Sequence, residues 1–263
     1  ITRGTDADDT LVGSTGHDHM LGGKGGDTLE GGIGNDTLDG GEGDDVLDGG
    51  LGTNVLLGGG GNDTLRVSSD ARGSTLHGGT GSDTLTGSYY ADTFVFNLGD
   101  GHDTIIELGR ANNSNDTVVF GEGLNSADIT VLRDGRDVVL SFGNGQDSLR
   151  IRNWLTTGLS EDLSTGIEAF TFADGTAWTA ADIRKNLTSH VTSSEGVFKG
   201  WEGNDTIWAG EGNTTLAVQH QFQEQVGQGG ADGRFVAQQR RPQLCMALLV
   251  DARSDQQLAQ RAA

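Results

Sequence analysis

The chain holds 263 residues, with 38 acidic against 17 basic side chains, a formal net charge of −21 and 45 glycines at a hydrophobic content of 33%. So little apolar surface does not build an ordinary globular core, and so negative a field excludes nucleic acid and anionic membrane surfaces as partners while it attracts cations. No run approaches the ~20 apolar residues that span a bilayer, and the opening ITRGTDADDT lacks the basic and apolar regions of a cleaved signal peptide. The first residue is Ile1, and the chain is read as a fragment of something longer. Its one cysteine, Cys245, forms no internal disulfide, so another staple, metal first, is expected to hold the fold.

In chain order, Gly4, Gly13, Gly22, Gly31, Gly40, Gly49 and Gly58 recur every nine residues, and each opens a unit such as GGKGGDTLE or GGIGNDTLD. After the degenerate eleven-residue unit VSSDARGSTLH come GGTGSDTLT and GSYYADTFV, which makes ten units to Val95. The sixth position of the regular units holds Asp9, Asp18, Asp27, Asp36, Asp45, Asn54, Asp63, Asp83 and Asp92, and the eighth holds an apolar residue such as Leu29 or Leu47. Glycine at the first, second and fourth positions suits a tight turn, and the last three residues alternate out, in, out as a short strand.

One such strand buries a single side chain and cannot stand alone, so strands must stack into two facing sheets with two units per coil. Turns of units n and n+2 then lie side by side, which pairs Asp9 with Asp27, Asp18 with Asp36, Asp27 with Asp45, Asp36 with Asn54, Asp45 with Asp63 and Asp63 with Asp83. Carboxylates and turn carbonyls converging between coils form an all-oxygen site of loose geometry. That chemistry favours calcium over zinc, copper or octahedral magnesium, and several ions are expected.

These units resemble the GGxGxDxUx nonapeptide of the repeats-in-toxin family, the haemolysin-type calcium-binding repeats of bacterial proteins exported by type I secretion. Asn54, Ala7, Tyr90 and the unit at 67–77 depart from that pattern. The resemblance implies a parallel β-roll, bound calcium, extracellular location and the type I secretion machinery as a partner.

Beyond Asn97, Asp103 in LGDGHDTII and Asp147 in FGNGQDSLR repeat the turn spacing as single calcium half-sites. ITVLRDGRDVVLSF predicts a hairpin about Asp134-Gly135, LRIRNWL a strand ending at Trp154, and IEAFTFADGTAW a second hairpin. Thr179 and Asp182 in TAADIRK fit a helix capping box. Residues 97–185 resemble the haemolysin-type calcium-binding related domain, on GHDTI, RDGRDVVL and FADGTAW. Phe94, Phe96, Phe120, Phe142, Trp154, Phe170, Phe172 and Trp178 are expected to be the core of a cap that closes the roll.

The fold class is therefore all-β, a parallel β-roll (β-solenoid) over 1–96 followed by a small, mainly antiparallel β cap over 97–185. A partial second repeat series occupies 186–218, where Gly203, Asp205 and Ile207 fit the pattern and Thr214 replaces the next aspartate. Residues 219–263 hold most of the glutamines and the only proline, and read as an export signal or an out-of-frame sequence. No HExxH and no GxSxG occurs, and His17 and His19 fall beside a repeat aspartate, so the chain is not expected to be an enzyme. A calcium-folded module of a secreted protein is the leading reading. The alternatives are an adhesin module binding a carbohydrate or cell-surface ligand through the aromatic domain, and the targeting region of a secreted protease, lipase or alginate epimerase.

Overall fold

A computed structural model describes residues 1–108, 115–155, 166–189, 196–199, 206–208, 213–217, 234–236 and 247–251. They fall into two compact units, one of Ile1–Val131 with Gly135–Asp182 and one of Leu132–Asp134 with Ile183–Ala263. In the first unit the repeats give β1 (Thr2–Arg3), β2 (Thr10–Val12), β3 (His19–Lys24), β4 (Thr28–Glu30), β5 (Thr37–Glu42), β6 (Val46–Asp48), β7 (Val55–Gly60), β8 (Thr64–Arg66), β9 (Thr75–Thr80), β10 (Thr84–Thr86) and β11 (Thr93–Phe96). There follow β12 (His102–Ile106), β13 (Thr117–Phe120), β14 (Ile129–Asp134), β15 (Asp137–Phe142), β16 (Ser148–Ile151), β17 (Ala169–Thr171), β18 (Ala177–Thr179) and one helix, α1 (Ala180–Lys185).

Up to β13, odd and even strands separate into two sheets; the first is ordered β1-β3-β5-β7-β9-β11-β13-β17-β18, and the second runs β2-β4-β6-β8-β10-β12-β16-β15-β14 and on to Leu187–Ser189. Pairing is parallel along the roll and turns antiparallel only at its end, between β17 and β18 and between β15 and β16. Each neighbour lies two units ahead, so Met20 stands on Leu38, Leu38 on Leu56, and Leu56 on Leu76. The other sheet stacks Leu11, Leu29, Leu47, Leu65, Leu85 and Ile105 in the same way. This is the β-solenoid that the nine-residue period requires. The degenerate unit at 67–77 keeps its place as a coil: its two extra residues are taken up in the turn, where Val67 and Ala71 are buried, and β9 stays in register.

The core is a column of eighth-position side chains, Leu29, Leu38, Leu47, Leu56 and Leu65 among them, each fully buried between the sheets. A column one side chain wide has few neighbours that can collapse into a gap. Leu56→Ala is expected to lower the stability of the metal-loaded chain by about 2–5 kcal/mol in a denaturant titration, the range for buried leucine truncations.

At the roll's end the column becomes aromatic. Phe120 stacks on Phe172 at 4.9 Å, Phe96 on Phe142 at 5.5 Å, and Trp154 meets Phe170 edge-on at 6.3 Å. The hairpin of β14 and β15 turns at Gly135, whose φ is 63°, as DG predicts. The strand expected to reach Trp154 stops at Ile151, because Asn153 takes φ 54° and turns the chain, which tucks Trp154 into the core at 7% exposure. Thr179 caps α1 as expected: its amide and hydroxyl donate to Asp182 Oδ2 at 2.9 and 2.8 Å.

In the second unit, Gly196–Lys199 pairs in parallel with Asn213–Ala217, Gly196 opposite Thr214. That offset is the roll's own, as between Met20 and Leu38. Asn213–Ala217 also pairs antiparallel with Ala247–Asp251, and Thr206–Trp208 with Arg234–Val236. Asp205 lies outside the described residues.

Candidate metal sites in the turns

In the regular turns the second and fourth positions suit only glycine. Gly43 has φ 128°, and a Cβ there would stand 2.6 Å from the carbonyl carbon of Gly25 in the previous coil. First-position glycines leave a different space: a Cβ on Gly31 would lie 2.7 Å from Asp36 Oδ2 and 2.8 Å from the carbonyl oxygen of Gly49. A carboxylate oxygen and a carbonyl oxygen of the next coil therefore border one small volume, which the missing side chain keeps open.

The sixth-position residues form two ladders up the roll. On one side the amide of Asp9 donates to Asp27 Oδ1 at 2.7 Å, Asp27 to Asp45 at 2.7 Å, Asp45 to Asp63 at 2.8 Å, Asp63 to Asp83 at 2.7 Å and Asp83 to Asp103 at 3.1 Å. On the other, the amide of Asp18 donates to Asp36 Oδ1 at 2.8 Å and that of Asp36 to Asn54 Oδ1 at 2.9 Å. All six pairs drawn from the period are adjacent. From Asp27 and Asp36 onward each carboxylate of the two ladders thus spends Oδ1 on the neighbouring backbone, which leaves Oδ2.

What Oδ2 meets divides the rungs. In Asp27, Asp36, Asp45, Asp63 and Asp83 it is buried without a hydrogen-bond donor among the described residues. Where the second glycine is replaced by a hydroxyl residue, Oδ2 is satisfied locally: Thr5 donates to Asp9, Ser14 to Asp18 and Ser88 to Asp92, each through amide and hydroxyl at 2.6–2.9 Å. At Asn54 the side-chain amide donates to the Gly50 carbonyl at 3.3 Å, so that rung carries its own donor. Asp147 is also satisfied, with Oδ2 and Oδ1 accepting from the amides of Gly99 and Gly101 at 3.0 Å.

Ser74 holds the rung of the degenerate unit, and two further rungs, Asp116 and Glu168, lie outside the sequence expectation. Ser74 Oγ accepts from the Asn54 amide at 3.1 Å, and the Ser74 amide donates to Asp92 Oδ1 at 2.8 Å. The Asp92 amide donates to Asp116 Oδ1 at 2.8 Å, and that of Asp116 to Glu168 Oε2 at 2.8 Å. A signal for Asp116 existed: NDTVVF at 115–120 repeats the NDTL of the units at 35–38 and 62–65.

Unneutralised burial shows in the acidities. Loss of hydration pushes Asp45 up to about 6, Asp63 and Asp116 to about 7 and Asp103 to about 8, with neighbouring carboxylates of the ladder adding to the shift. At half-buried Asp18 the Ser14 hydrogen bonds instead lower the value. Orphaned buried oxygens, a cradle that a Cβ would fill and an all-oxygen donor set together fit a hard divalent cation such as calcium.

Fold and turns define the class, a parallel β-roll with cation-seeking turns. Residues 3–38, 30–65, 77–106 and 197–216 match the RTX calcium-binding nonapeptide repeat, and 137–182 match the haemolysin-type calcium binding protein related domain. Over these stretches the chain carries RTX calcium-binding nonapeptide repeats followed by the related domain. Among solved structures, extracellular lipase LipA from Serratia marcescens is 20% identical over 60% of this chain, with a TM-score of 0.29. The AlgE6R3 subunit of the Azotobacter vinelandii mannuronan C5-epimerase is 25% identical over 65%, with a TM-score of 0.21. The chain spans 37% of the lipase and 81% of the epimerase subunit. No curated protein matches it.

Proposed function

We propose that the chain is the calcium-folded module of a secreted protein, passed unfolded through type I export and folded outside the cell. The observation that carries this reading is the set of five buried Oδ2 atoms, on Asp27, Asp36, Asp45, Asp63 and Asp83, that have no donor among the described residues. We assign these aspartates, with the carbonyls of the facing glycines, as the ligands. Asp9 and Asp18 act as rungs whose hydroxyl partners hold them in place, Asn54 as a metal-free rung and Asp147 as a structural turn. Residues 1–96 would be the folding switch and 97–185 the cap on which it grows.

Bound calcium supplies the positive charge that the ladders lack. The chain's own residues do the rest: glycines bring the coils close, Oδ1 fixes each carboxylate to the next coil, and the leucine column is buried once neighbouring coils meet. Without neutralisation, the apolar content is too small to offset chain entropy and self-repulsion. Metal-binding energy then appears as folding energy.

The test is a calcium titration of the chain followed by far-UV circular dichroism, with magnesium as control. A cooperative coil-to-β change is expected at about 10⁻⁴–10⁻³ M calcium, the range of extracellular modules. A β spectrum that ignores calcium would reduce the aspartates to turn residues and end this reading.

A further inference from the structure

One cluster departs from the repeat chemistry. Carboxylate oxygens of Asp92, Glu107 and Asp116 all lie within 4.8 Å of one another at the last coil of the roll. Asp92 precedes β11, Glu107 follows β12 and Asp116 precedes β13, so three successive strand ends converge there. Asp92 and Asp116 are 1% and 0% exposed, and Asp116 Oδ2 is buried with no hydrogen-bond donor among the described residues.

The local geometry repeats the cradle of the regular turns with one part exchanged. At Gly31 the missing Cβ faces an aspartate Oδ2 and a glycine carbonyl of the next coil. At Gly87 it faces Asp92 Oδ2 at 3.1 Å and, in place of the carbonyl, Glu107 Oε2. A neutral peptide oxygen has been replaced by a carboxylate. Oxygens that share one calcium ion, each ~2.3–2.6 Å from it, stand no more than ~5 Å apart, which the observed spread satisfies. The Ser88 amide and hydroxyl, on Oδ2 at 2.6 and 2.8 Å, and the Ser74 amide, on Oδ1 at 2.8 Å, aim the Asp92 carboxylate and take three of its about four lone-pair sites, which leaves one for a cation.

We infer that Asp92, Glu107 and Asp116 form a separate three-carboxylate calcium site that locks the last coil onto the cap. The inference rests on the calcium reading of the repeats and adds to it a site of different composition. Its ligand charge exceeds that of the carbonyl-lined turns, and ligand charge is a main control of calcium affinity. The site therefore fills before the turns do and gives the roll a fixed end from which coils add.

The experiment is calorimetric calcium titration of the full chain as wild type, Glu107→Gln and, as control, Glu122→Gln at an exposed position. Glu107→Gln is expected to bind one ion fewer and to lose the tightest step, with the later, weaker steps kept; Glu122→Gln should match wild type. An isotherm for Glu107→Gln that overlays wild type overturns the inference while leaving the repeat sites standing, whereas absence of any binding by wild type removes the calcium reading itself. Should Glu107→Gln fail to fold, anomalous scattering from terbium-soaked wild-type crystals decides. A peak within ~2.6 Å of all three carboxylates supports the site, and terbium confined to the glycine turns refutes it.

Discussion

Asp45→Ala is expected to destabilise the calcium-loaded chain by about 4–6 kcal/mol, far more than a surface substitution. Asp45 sits in the middle of its ladder: Oδ1 accepts from the Asp27 amide, its own amide donates to Asp63, and Oδ2 is buried without a donor. Alanine strands the buried Asp27 amide, worth ~1–3 kcal/mol, and removes an ion worth ~2.7 kcal/mol at a hundredfold excess over its dissociation constant. Asp45→Asn separates the two losses. Asn54 shows how the amide sits, with Oδ1 accepting from the Asp36 amide at 2.9 Å and Nδ2 donating to Gly50 at 3.3 Å. Asparagine at 45 should therefore keep the rung and lose the ion, with roughly half the destabilisation of alanine. The reverse change, Asn54→Asp, should add one calcium to the stoichiometry and make the coil more calcium-dependent. Guanidinium unfolding at fixed calcium reads the stabilities, and calorimetry counts the ions. Equal effects of Ala and Asn would show that the hydrogen bond contributes nothing and the ion everything.

The roll was legible because its constraint is local and repeated. A glycine that must accept φ near 128° and a leucine that must fill a column leave the same letters in each unit, so Gly43 and Leu47 announce both the turn and the strand. The pairing at an offset of two units followed from geometry alone. Fine control of the sites was less visible, because it depends on what replaces a glycine. Thr5, Ser14 and Ser88 look like tolerated departures, yet their hydroxyls decide whether an aspartate Oδ2 is satisfied within the protein. Ser74 was legible only as a departure, in a unit that lacks the glycine-aspartate signature, although its hydroxyl and amide occupy the rung. Glu168 could not be found by periodicity, since it reaches Asp116 from 52 residues away through the parallel pairing of β13 and β17. Trp154 was legible as core and misplaced as a strand end because a single backbone angle at Asn153 intervenes.

Acidification of the metal-free chain is expected to order the roll, the opposite of ordinary acid denaturation. Burial holds Asp45 at about 6, Asp63 at about 7 and Asp103 at about 8, above the ordinary value of 3.8 that an unfolded chain would show. Between about pH 4 and these raised values the folded roll carries more protons than the unfolded chain, so stability falls as pH rises through that window. The contribution is complete only below the unfolded value and is gone above about pH 8. Partial neutralisation of the −21 charge acts in the same direction. Protons and calcium therefore compete for the same oxygens: apparent calcium affinity should weaken from pH 8 to pH 5, and binding should release protons. Circular dichroism of the metal-free chain from pH 8 down to pH 5, above its isoelectric point of about 4.3, reads the first effect. Calorimetry in buffers of different ionisation enthalpy reads the second. A metal-free roll that loses order on acidification would mean that its carboxylates are already satisfied as anions, and the orphaned Oδ2 atoms of Asp27 to Asp83 would then no longer argue for a cation.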